Sequence, residues 1–239
     1  MSSKQPKFKR VLLKLSGEAL AGQSKTGIEP SVLTQIVSEI AEVVSIGVQV
    51  AVVVGAGNIF RGSLAEKLGI DRVKGDYMGM LGTVINSIAL EDALEKVNVS
   101  ASVMTSVEMK DFADHFTIRD AIRKLDEGQV VIAAGGTGHP FFTTDTASAL
   151  RAIEIGADCM LKATRVDGVY TADPEKDSSA VKIDEIEYIR IIKENLRVLD
   201  FTCVSLCMDN SLPIIVFDLF NKGSLVKAIM GEKIGTLIS

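Results

Sequence analysis

The stretch VQVAVVVGAGN, residues 48–58, decides the fold class of this chain. An apolar run rich in valine, interrupted only by Gln49, leads straight into a turn with two glycines. Continuous rather than alternating apolarity predicts a strand that is covered on both faces, as in a parallel sheet between layers of helices. The glycines predict a tight turn at the carboxyl end of this strand.

Similar runs recur along the chain and alternate with helical patterns. Strands are predicted at 11–15, 48–54, 101–105, 130–134, 158–163 and 213–217. Helices are predicted at 32–46, 77–96, 118–127 and 146–155, as a pair within 186–208, and at 225–230. This alternation predicts an α/β fold, with a doubly wound, mostly parallel sheet and helices on both faces. No linker or low-complexity tract divides the chain, which predicts a single domain over residues 1–239.

Capping residues support these boundaries. The residues predicted to cap or open helices are Pro30 or Ser31, Asp76 and Thr117, and the residues predicted to follow helix ends are Gly47 and Gly128. Residues 165–182 are the exception to the alternation, because they lack a helical period and contain Gly, Pro and Asp. A functional loop or a hairpin is predicted there.

Composition narrows the classes of function. The content of hydrophobic residues, 47%, predicts a globular protein with a large core. The net charge of -5 argues against a nucleic-acid partner, because neutralising phosphates requires clustered Lys and Arg. No apolar run is long enough for a membrane span, and the basic first residues are not followed by the apolar core of a signal peptide. A cytoplasmic protein without a membrane partner is predicted.

The three cysteines, Cys159, Cys203 and Cys207, form no CxxC pair, so neither a disulfide framework nor a zinc ribbon is predicted. Cys203 and Cys207 have the spacing of one helix face, where they either pack in the core or bind a metal. Packing is favoured because no His or further Cys lies near them in sequence. His115 and His139 are too isolated to suggest a metal site.

Two glycine-rich turns, at 52–62 and 131–145, each follow a predicted strand directly. The carboxyl ends of parallel strands meet at the ligand-binding edge of a sheet, and glycine turns there can point N–H groups at phosphate oxygens. Each turn alone also fits an ordinary tight turn. Neither matches the GxGxxG or the GxxxxGK[ST] pattern, which weakens the predictions of NAD binding and of a P-loop.

Lys14 and Lys162 are the candidate cations for phosphoryl transfer. Each lies at the end of an apolar strand, in VLLKLSG and DCMLKAT, where an unpaired ammonium is costly to bury. Strands that end at one edge would bring both lysines to the glycine turns. Either one alone also fits a lysine that extends from an edge strand into solvent.

Four more side chains accompany the turns. Asp145 fits a helix N-cap, and it also fits a carboxylate that orients the two lysines. Thr143 and Thr144 could donate to a phosphate at the same helix N-terminus. Arg61 fits either a guanidinium that bridges two phosphates or a solvated loop residue.

Five motifs, taken in this order, resemble the bacterial UMP kinase family. They are KLSGEAL at 14–20, GAGNIFRG at 55–62, GDYMGMLGTVIN at 75–86, TGHPFFTTDTA at 137–147 and LKATRVDGVYTADP at 161–174. The resemblance runs nearly end to end and includes MGEKIGTLI at 230–238. The wider relationship is to the amino acid kinase fold, which acetylglutamate, aspartate and carbamate kinases share.

The resemblance implies a kinase that transfers phosphate from ATP to UMP, with Mg²⁺ bound to ATP and no metal ligands of its own. The catalytic charges of the amino acid kinase fold are matched in this sequence by Lys14, Lys162 and Asp145. The ATP-binding positions are Lys14, Leu15, Ser16, Gly17, Gly57, Arg61, Thr164, Tyr170 and Asp173. The UMP-binding positions are Ala56, Asp76, Thr137, Gly138, His139, Pro140, Phe141, Phe142, Thr143 and Thr144. UMP is implied on the N-terminal part of the domain and ATP on the C-terminal part.

The resemblance also implies a homohexamer and a place in pyrimidine nucleotide biosynthesis. Two positions depart from the family pattern: Ala56 stands where a third glycine is usual, and His139 where asparagine is common. Neither change is expected to abolish activity, because a backbone N–H remains at Ala56 and an imidazole can replace one amide hydrogen bond. The expected effect of both changes is on the affinity for UMP.

Two rival interpretations remain at this stage. One is another member of the amino acid kinase family that acts on a carboxylate or carbamate, because the fold alone does not fix the acceptor. PFFTTD and Asp76 favour UMP over that acceptor. The other is a catalytically silent nucleotide-binding regulator, against which the presence of both lysines argues.

A regulatory expectation follows from the helix after the GDxMGML motif. In family members that GTP activates, basic side chains from this helix contact the triphosphate at an inter-subunit site. The corresponding residues 89–104 carry Glu91 and Glu95 one turn apart, with Lys96 beside them. Like charges repel, so weak or absent activation by GTP is predicted.

Overall fold

The computed structural model describes residues 5–172, 177, 179–196 and 198–239. The strands within these ranges are β1 (Arg10–Leu15), β2 (Gln49–Val54), β3 (Ala101–Thr105), β4 (Asp114–His115), β5 (Val130–Ala134), β6 (Cys159–Thr164), β7 (Val169–Tyr170), β8 (Lys182–Ile183), β9 (Glu185–Ile186), β10 (Ile214–Asp218) and β11 (Thr236–Ile238). The helices are α1 (Gly17–Leu20), α2 (Pro30–Ser45), α3 (Gly62–Lys67), α4 (Arg72–Glu95), α5 (Ile118–Asp126), α6 (Thr144–Glu154), α7 (Tyr188–Lys193), α8 (Phe201–Asp209) and α9 (Ser224–Ile229).

Nine of these strands form one sheet in the order β4-β3-β5-β2-β1-β6-β10-β11-β9. Among its pairs, only β10 with β11 is antiparallel. The strands β7 and β8 form a separate antiparallel hairpin. The predicted doubly wound, mostly parallel sheet is confirmed.

Apolar residues on both faces of the sheet explain the continuous runs. In β1, Leu13 and Leu15 belong to a core cluster with α2, α4 and α9, whereas Leu12 belongs to a second cluster with α5, α6 and α8. Because successive residues of a strand point to opposite faces, a strand between two helical layers needs apolar side chains at nearly every position. Both clusters exclude water from the centre of the sheet.

The main strands and helices lie where the sequence predicts them, within a few residues. Five short elements were not predicted: α1, α3, β4, β9 and β11. The stretch 165–182 contains the hairpin of β7 and β8, one of the two predicted outcomes. Each of the five unpredicted elements has six residues or fewer, which is too few to show a helical or strand period.

The predicted cap Asp76 is wrong. The helix α4 begins four residues earlier, at Arg72, and Asp71 caps it by accepting hydrogen bonds from the N–H groups of Val73 and Lys74. Asp76 lies one turn inside α4, on the face that points to the ligand edge. Thr117 caps α5 as predicted, through a bond to the N–H of Asp120.

The remaining boundary residues agree with prediction. Pro30 is the first residue of α2, and Gly47 and Gly128 follow α2 and α5 with positive φ.

All three cysteines are buried free thiols, and Cys203 and Cys207 pack in the core through α8. Burial raises the pKa of the Cys159 thiol. No helix in the described ranges is both long and apolar enough to span a bilayer.

Candidate active site

The two candidate lysines lie side by side because of the strand register. The strands β1 and β6 are parallel neighbours, and Lys14 is the direct partner of Lys162 in their ladder. Partners in a ladder point to the same face of a sheet. Both ammonium groups therefore project toward α6, close to the carboxyl ends of their strands.

Asp145 lies between the two lysines. Its Oδ1 is 2.7 Å from Nζ of Lys14, and its Oδ2 accepts a hydrogen bond of 2.7 Å from Nζ of Lys162. Burial by itself would raise the pKa of the Asp145 carboxyl, but the two ammonium groups outweigh burial and hold that pKa below its ordinary value. The carboxylate is ionised at neutral pH and offsets the repulsion between the lysines.

Of the two roles predicted for Asp145, the N-cap is wrong, because Thr143 caps α6. The hydroxyl of Thr143 accepts from the N–H of Asp145 at 3.1 Å. It also donates to Asp200, which in turn caps α8 through the N–H of Cys203. Capping by Thr143 leaves both oxygens of Asp145 free to face the lysines.

The ammonium group of Lys162 makes a second hydrogen bond besides the one to Asp145. Its Nζ donates to the carbonyl oxygen of Val198 at 2.5 Å. Burial lowers the pKa of Lys162, partly countered by the charge of Asp145. A cavity of about 400 Å³ opens beside this contact, between Lys162, Asp145 and the segment before α8. The described residues of this segment that line the cavity are not among the predicted site residues: Asn195, Leu196, Val198, Leu199 and Asp200.

The first glycine turn packs closely on the start of α1. A Cβ at Gly17 would lie 2.6 Å from the carbonyl oxygen of Gly55 and 2.6 Å from the nitrogen of Gly57. This contact brings the KLSG segment and the GAG turn together at the edge of the sheet. The predicted ATP-binding residues Leu15 and Ser16 lie at the same place, and Ser16 caps α1 through the N–H of Ala19.

Two buried asparagines hold the first turn against α4. The side-chain amides of Asn58 and Asn86 bond to each other, and Asn86 also donates to the carbonyl oxygen of Gly55 at 2.8 Å. Both asparagines lie within the quoted motifs, but neither is among the predicted site residues. Arg61, at the end of the turn, donates to the carbonyl oxygen of Gly57 and lies 3.0 Å from a carboxylate oxygen of Glu18.

The second glycine turn leaves β5 with a left-handed backbone. Gly135, Gly136 and Gly138 have φ values of 77°, 61° and 81°, which glycine adopts without strain. The N–H of Gly135 donates to the hydroxyl of Thr83 in α4 at 2.8 Å. The turn is thereby fixed to the same helix as the first one.

A cavity of about 280 Å³ lies between the two turns and α4. It is lined by seven of the residues predicted to bind UMP: Ala56, Asp76, Thr137, His139, Phe142, Thr143 and Thr144. The predicted residues Gly138, Pro140 and Phe141 belong to the same loop but do not line the cavity. Lining residues that the sequence analysis missed include Phe60, Arg72, Met80 and Thr83.

Asp76 joins α4 to the second turn. Its carboxylate accepts the N–H of Phe141 at 2.8 Å and two bonds from Nε of Arg72, one turn earlier in α4. Phe141 has a positive φ of 72°, which costs free energy for a residue with a side chain. The bond to Asp76 helps to hold this backbone. An Arg four residues before a predicted site Asp is the signal that could have indicated Arg72.

The other predicted ATP residues lie beyond β6. Thr164 follows Lys162 by two residues on the same strand, and its hydroxyl bonds to the carbonyl oxygen of Val166. The hydroxyl of Tyr170 donates to Asp167 at 2.6 Å. Asp173 lies outside the described residues. In the described part of the chain, no group of three or more His, Cys, Asp and Glu side chains could hold a metal ion.

Comparison with known proteins places these features in a family. Residues 9–218 match the model of the amino acid kinase family. The chain is 55% identical over 232 residues to a uridylate kinase of Porphyromonas gingivalis, and the match covers 97% of each chain. The crystal structure of a UMP kinase from Bacillus anthracis superimposes with a TM-score of 0.94 at 43% identity, covering 97% of this chain and 96% of that one. A UMP kinase structure from Ureaplasma parvum gives a TM-score of 0.91 at 31% identity, covering 97% and 98%.

Proposed function

The chain belongs to the amino acid kinase family, and on that premise we propose that it transfers the γ-phosphate of ATP to UMP, giving UDP and ADP. One observation carries the proposal: the triad of Lys14, Asp145 and Lys162, joined by two salt bridges, lies at the sheet edge that bears both glycine turns. The similarity to uridylate and UMP kinases over 97% of the chain selects UMP as the acceptor.

Transfer is a direct in-line displacement. The second pKa of a phosphate monoester is about 6, so an oxygen of UMP is mostly ionised at neutral pH and attacks without a general base. No described residue at the site is needed to remove a proton. Catalysis then depends on holding the two phosphates in line and on stabilising the charge that develops.

Lys14 and Lys162 supply that stabilisation as negative charge moves to the leaving β-phosphate oxygen. Asp145 holds the two ammonium groups at 2.7 Å from its own oxygens, so they are oriented before the substrates bind. Mg²⁺ bound to ATP would neutralise phosphate charge. Few protein ligands are required for it, because Mg²⁺ keeps waters and phosphate oxygens in its shell.

The two substrates occupy different parts of one domain. UMP binds in the cavity between the two turns and α4, where Asp76 contacts the ribose and the loop 137–144 surrounds the nucleotide. ATP binds over β1 and β6, with its phosphates at residues 14–17, Gly57 and Arg61, and its nucleoside at Thr164, Tyr170 and Asp173. The N-terminal part thus carries the acceptor site together with the residues that contact the ATP phosphates, and the C-terminal part carries the nucleoside side of the ATP site.

The chain works as a homohexamer in the cytoplasm, within pyrimidine nucleotide biosynthesis. An exposed apolar stripe on α4 supports self-association: its residues recur at helical spacing and are between 38% and 51% exposed, namely Tyr77, Leu81, Ile85 and Ile88. The same helix carries Asp76 and Asn86 on its inner side. Association through this stripe would connect neighbouring acceptor sites; the number of six comes from the family resemblance.

We expect UMP to be the preferred acceptor, with a kcat/KM for CMP that is about 10- to 100-fold lower. Cytosine presents an amine where uracil presents a carbonyl oxygen, and a site built for one pattern leaves its own groups unpaired with the other. Coupled assays of ADP release with ATP and Mg²⁺ compare UMP, CMP, dCMP and acetylglutamate. Equal rates with CMP, or a higher rate with acetylglutamate, would refute the proposed acceptor.

We expect GTP to change the rate by less than about twofold. Glu91 is partly buried, accepts the N–H of Val103 at 2.8 Å and has its pKa raised by burial, with Glu95 adding to the rise. This end of α4 offers carboxylates where a triphosphate needs cations. Initial rates at subsaturating UMP and ATP are measured while GTP increases from micromolar to millimolar. A saturable rise of several-fold would contradict the expectation.

A further inference from the structure

We propose that Ser106 is a positioning residue for UMP, which fixes the peptide between Gly136 and Thr137 so that its N–H faces the acceptor cavity. The inference rests on the proposed function. Ser106 follows β3 and does not line the cavity itself. Its hydroxyl lies 2.6 Å from the carbonyl oxygen of Gly136, which does line it.

The proton of Ser106 has a defined direction because of Arg151. The Nη2 of Arg151 donates to the hydroxyl of Ser106 at 3.0 Å. A guanidinium is always a donor and a serine hydroxyl has one proton, so Ser106 must accept from Arg151 and donate its own proton to a carbonyl. The carbonyl oxygen of Gly136 is the closer of two acceptors, at 2.6 Å against 3.2 Å for Ala134.

Burial, an ion pair and an aromatic ring fix the position of the Arg151 side chain. It is 7% exposed, pairs with Glu154 and places its guanidinium 4.1 Å from the centre of the Phe116 ring. The contact with the ring face adds cation–π attraction, and the carboxylate offsets the buried charge. Ser106 is thus oriented by a rigid side chain rather than by solvent.

The second glycine turn requires a hydrogen bond such as that from Ser106 to stay in one conformation, because it is rich in glycine. Gly135 and Gly136 both have positive φ, and glycine backbones have many alternative conformations to lose on ordering. The bond of Gly135 to Thr83 fixes one end of the turn. The bond from Ser106 to Gly136 fixes the next peptide.

The orientation of that peptide decides what the cavity offers to UMP. In a trans peptide the carbonyl and the following N–H point in opposite directions. Since the carbonyl of Gly136 points to Ser106, the N–H of Thr137 points away from Ser106, and both Gly136 and Thr137 line the cavity. This N–H donates to no group within the described ranges. It is available to an oxygen of UMP.

The test compares Ser106→Ala with the wild-type enzyme. Removing the hydroxyl lets the glycine peptide rotate, so KM for UMP should rise about three- to tenfold, the effect of one hydrogen bond. The kcat and the KM for ATP should stay within about twofold. Ser106→Thr keeps the hydroxyl and should keep the wild-type KM for UMP.

The control is Ser45→Ala, at the end of α2, which removes a serine-to-carbonyl hydrogen bond of 2.7 Å far from the ligand edge. It should leave all three constants unchanged. Wild-type activity on UMP tests the proposed function separately. An unchanged KM for UMP in Ser106→Ala, an equal loss in every constant, or no recovery in Ser106→Thr would overturn the assignment of Ser106.

Discussion

Replacing Lys162 by alanine should lower kcat by about 100-fold or more, and replacing Lys14 should do the same. In the proposed mechanism, each substitution removes one of the two cations that stabilise the negative charge developing on the leaving β-phosphate oxygen. The fold should persist in both variants, because helices cover both apolar faces of the sheet. Asp145 also keeps one lysine partner in either variant. Neither change leaves the buried carboxylate without a cation.

The measurement is kcat at saturating ATP and UMP, with the thermal unfolding midpoint as the check on structure. Lys124→Ala is the matched control: Lys124 is also an ion-paired lysine, with 15% of its side chain exposed and a partner in Asp114 at 3.1 Å, but it lies on α5 outside the site. Its kcat should match the wild type. Near-native turnover in an intact Lys14 or Lys162 variant would remove that lysine from the catalytic set.

Gly17→Ala should lower kcat by about 100-fold, in line with the cost of displacing a reactive group by about 1 Å. The new Cβ would meet Oδ1 of Asn58 at 2.5 Å and two backbone atoms of the first turn at 2.6 Å. Asn58 is buried and bonded to Asn86, so it cannot move aside alone. The turn itself has to shift.

The same substitution should destabilise the fold by about 1–3 kcal/mol, the usual cost of overpacking. Helix propensity predicts the opposite, since Gly17 is in α1 and alanine is favoured over glycine there by about 1 kcal/mol. The direction of the change in the unfolding midpoint therefore separates the two effects. Gly17→Ser should be worse than Gly17→Ala in both activity and stability. A stabilised and active Gly17→Ala would disprove the close approach.

The sequence predicts the central sheet well because burial on both faces forces apolar residues at consecutive positions. It also predicts the proximity of Lys14 and Lys162, since parallel strands end at one edge, although their direct pairing depends on a register that the sequence does not show. The role of Asp145 could not be resolved, because a cap and a charge partner use the same residue at the same place. Only the position of Thr143 as the cap decides between them.

The residues near the site that the sequence did not predict share one physical reason for being hidden: they act through contacts between distant segments. Asn86 and Ser106 act through contacts that link segments 31 and 30 residues apart, to Gly55 and Gly136 respectively. The carbonyl of Val198 carries no sequence signal at all, because every residue has one. Such contacts depend on how helices and turns pack, whereas periodicity reports only which face of an element is buried.

If the proposed function holds, the pairing of Lys14 with Lys162 across two central strands separates phosphoryl transfer from recognition of the acceptor. In the proposed function, the two cations would lie on paired central strands of the sheet, whereas the acceptor contacts would come from two turns and one helix. Libraries that vary residues 136–142 and the first half of α4, and that keep the Thr143 cap, should therefore alter the choice of acceptor while the phosphoryl-transfer residues stay in place. The sheet would serve as a constant platform for engineered kinases, and only its rim would need to be redesigned for each new substrate.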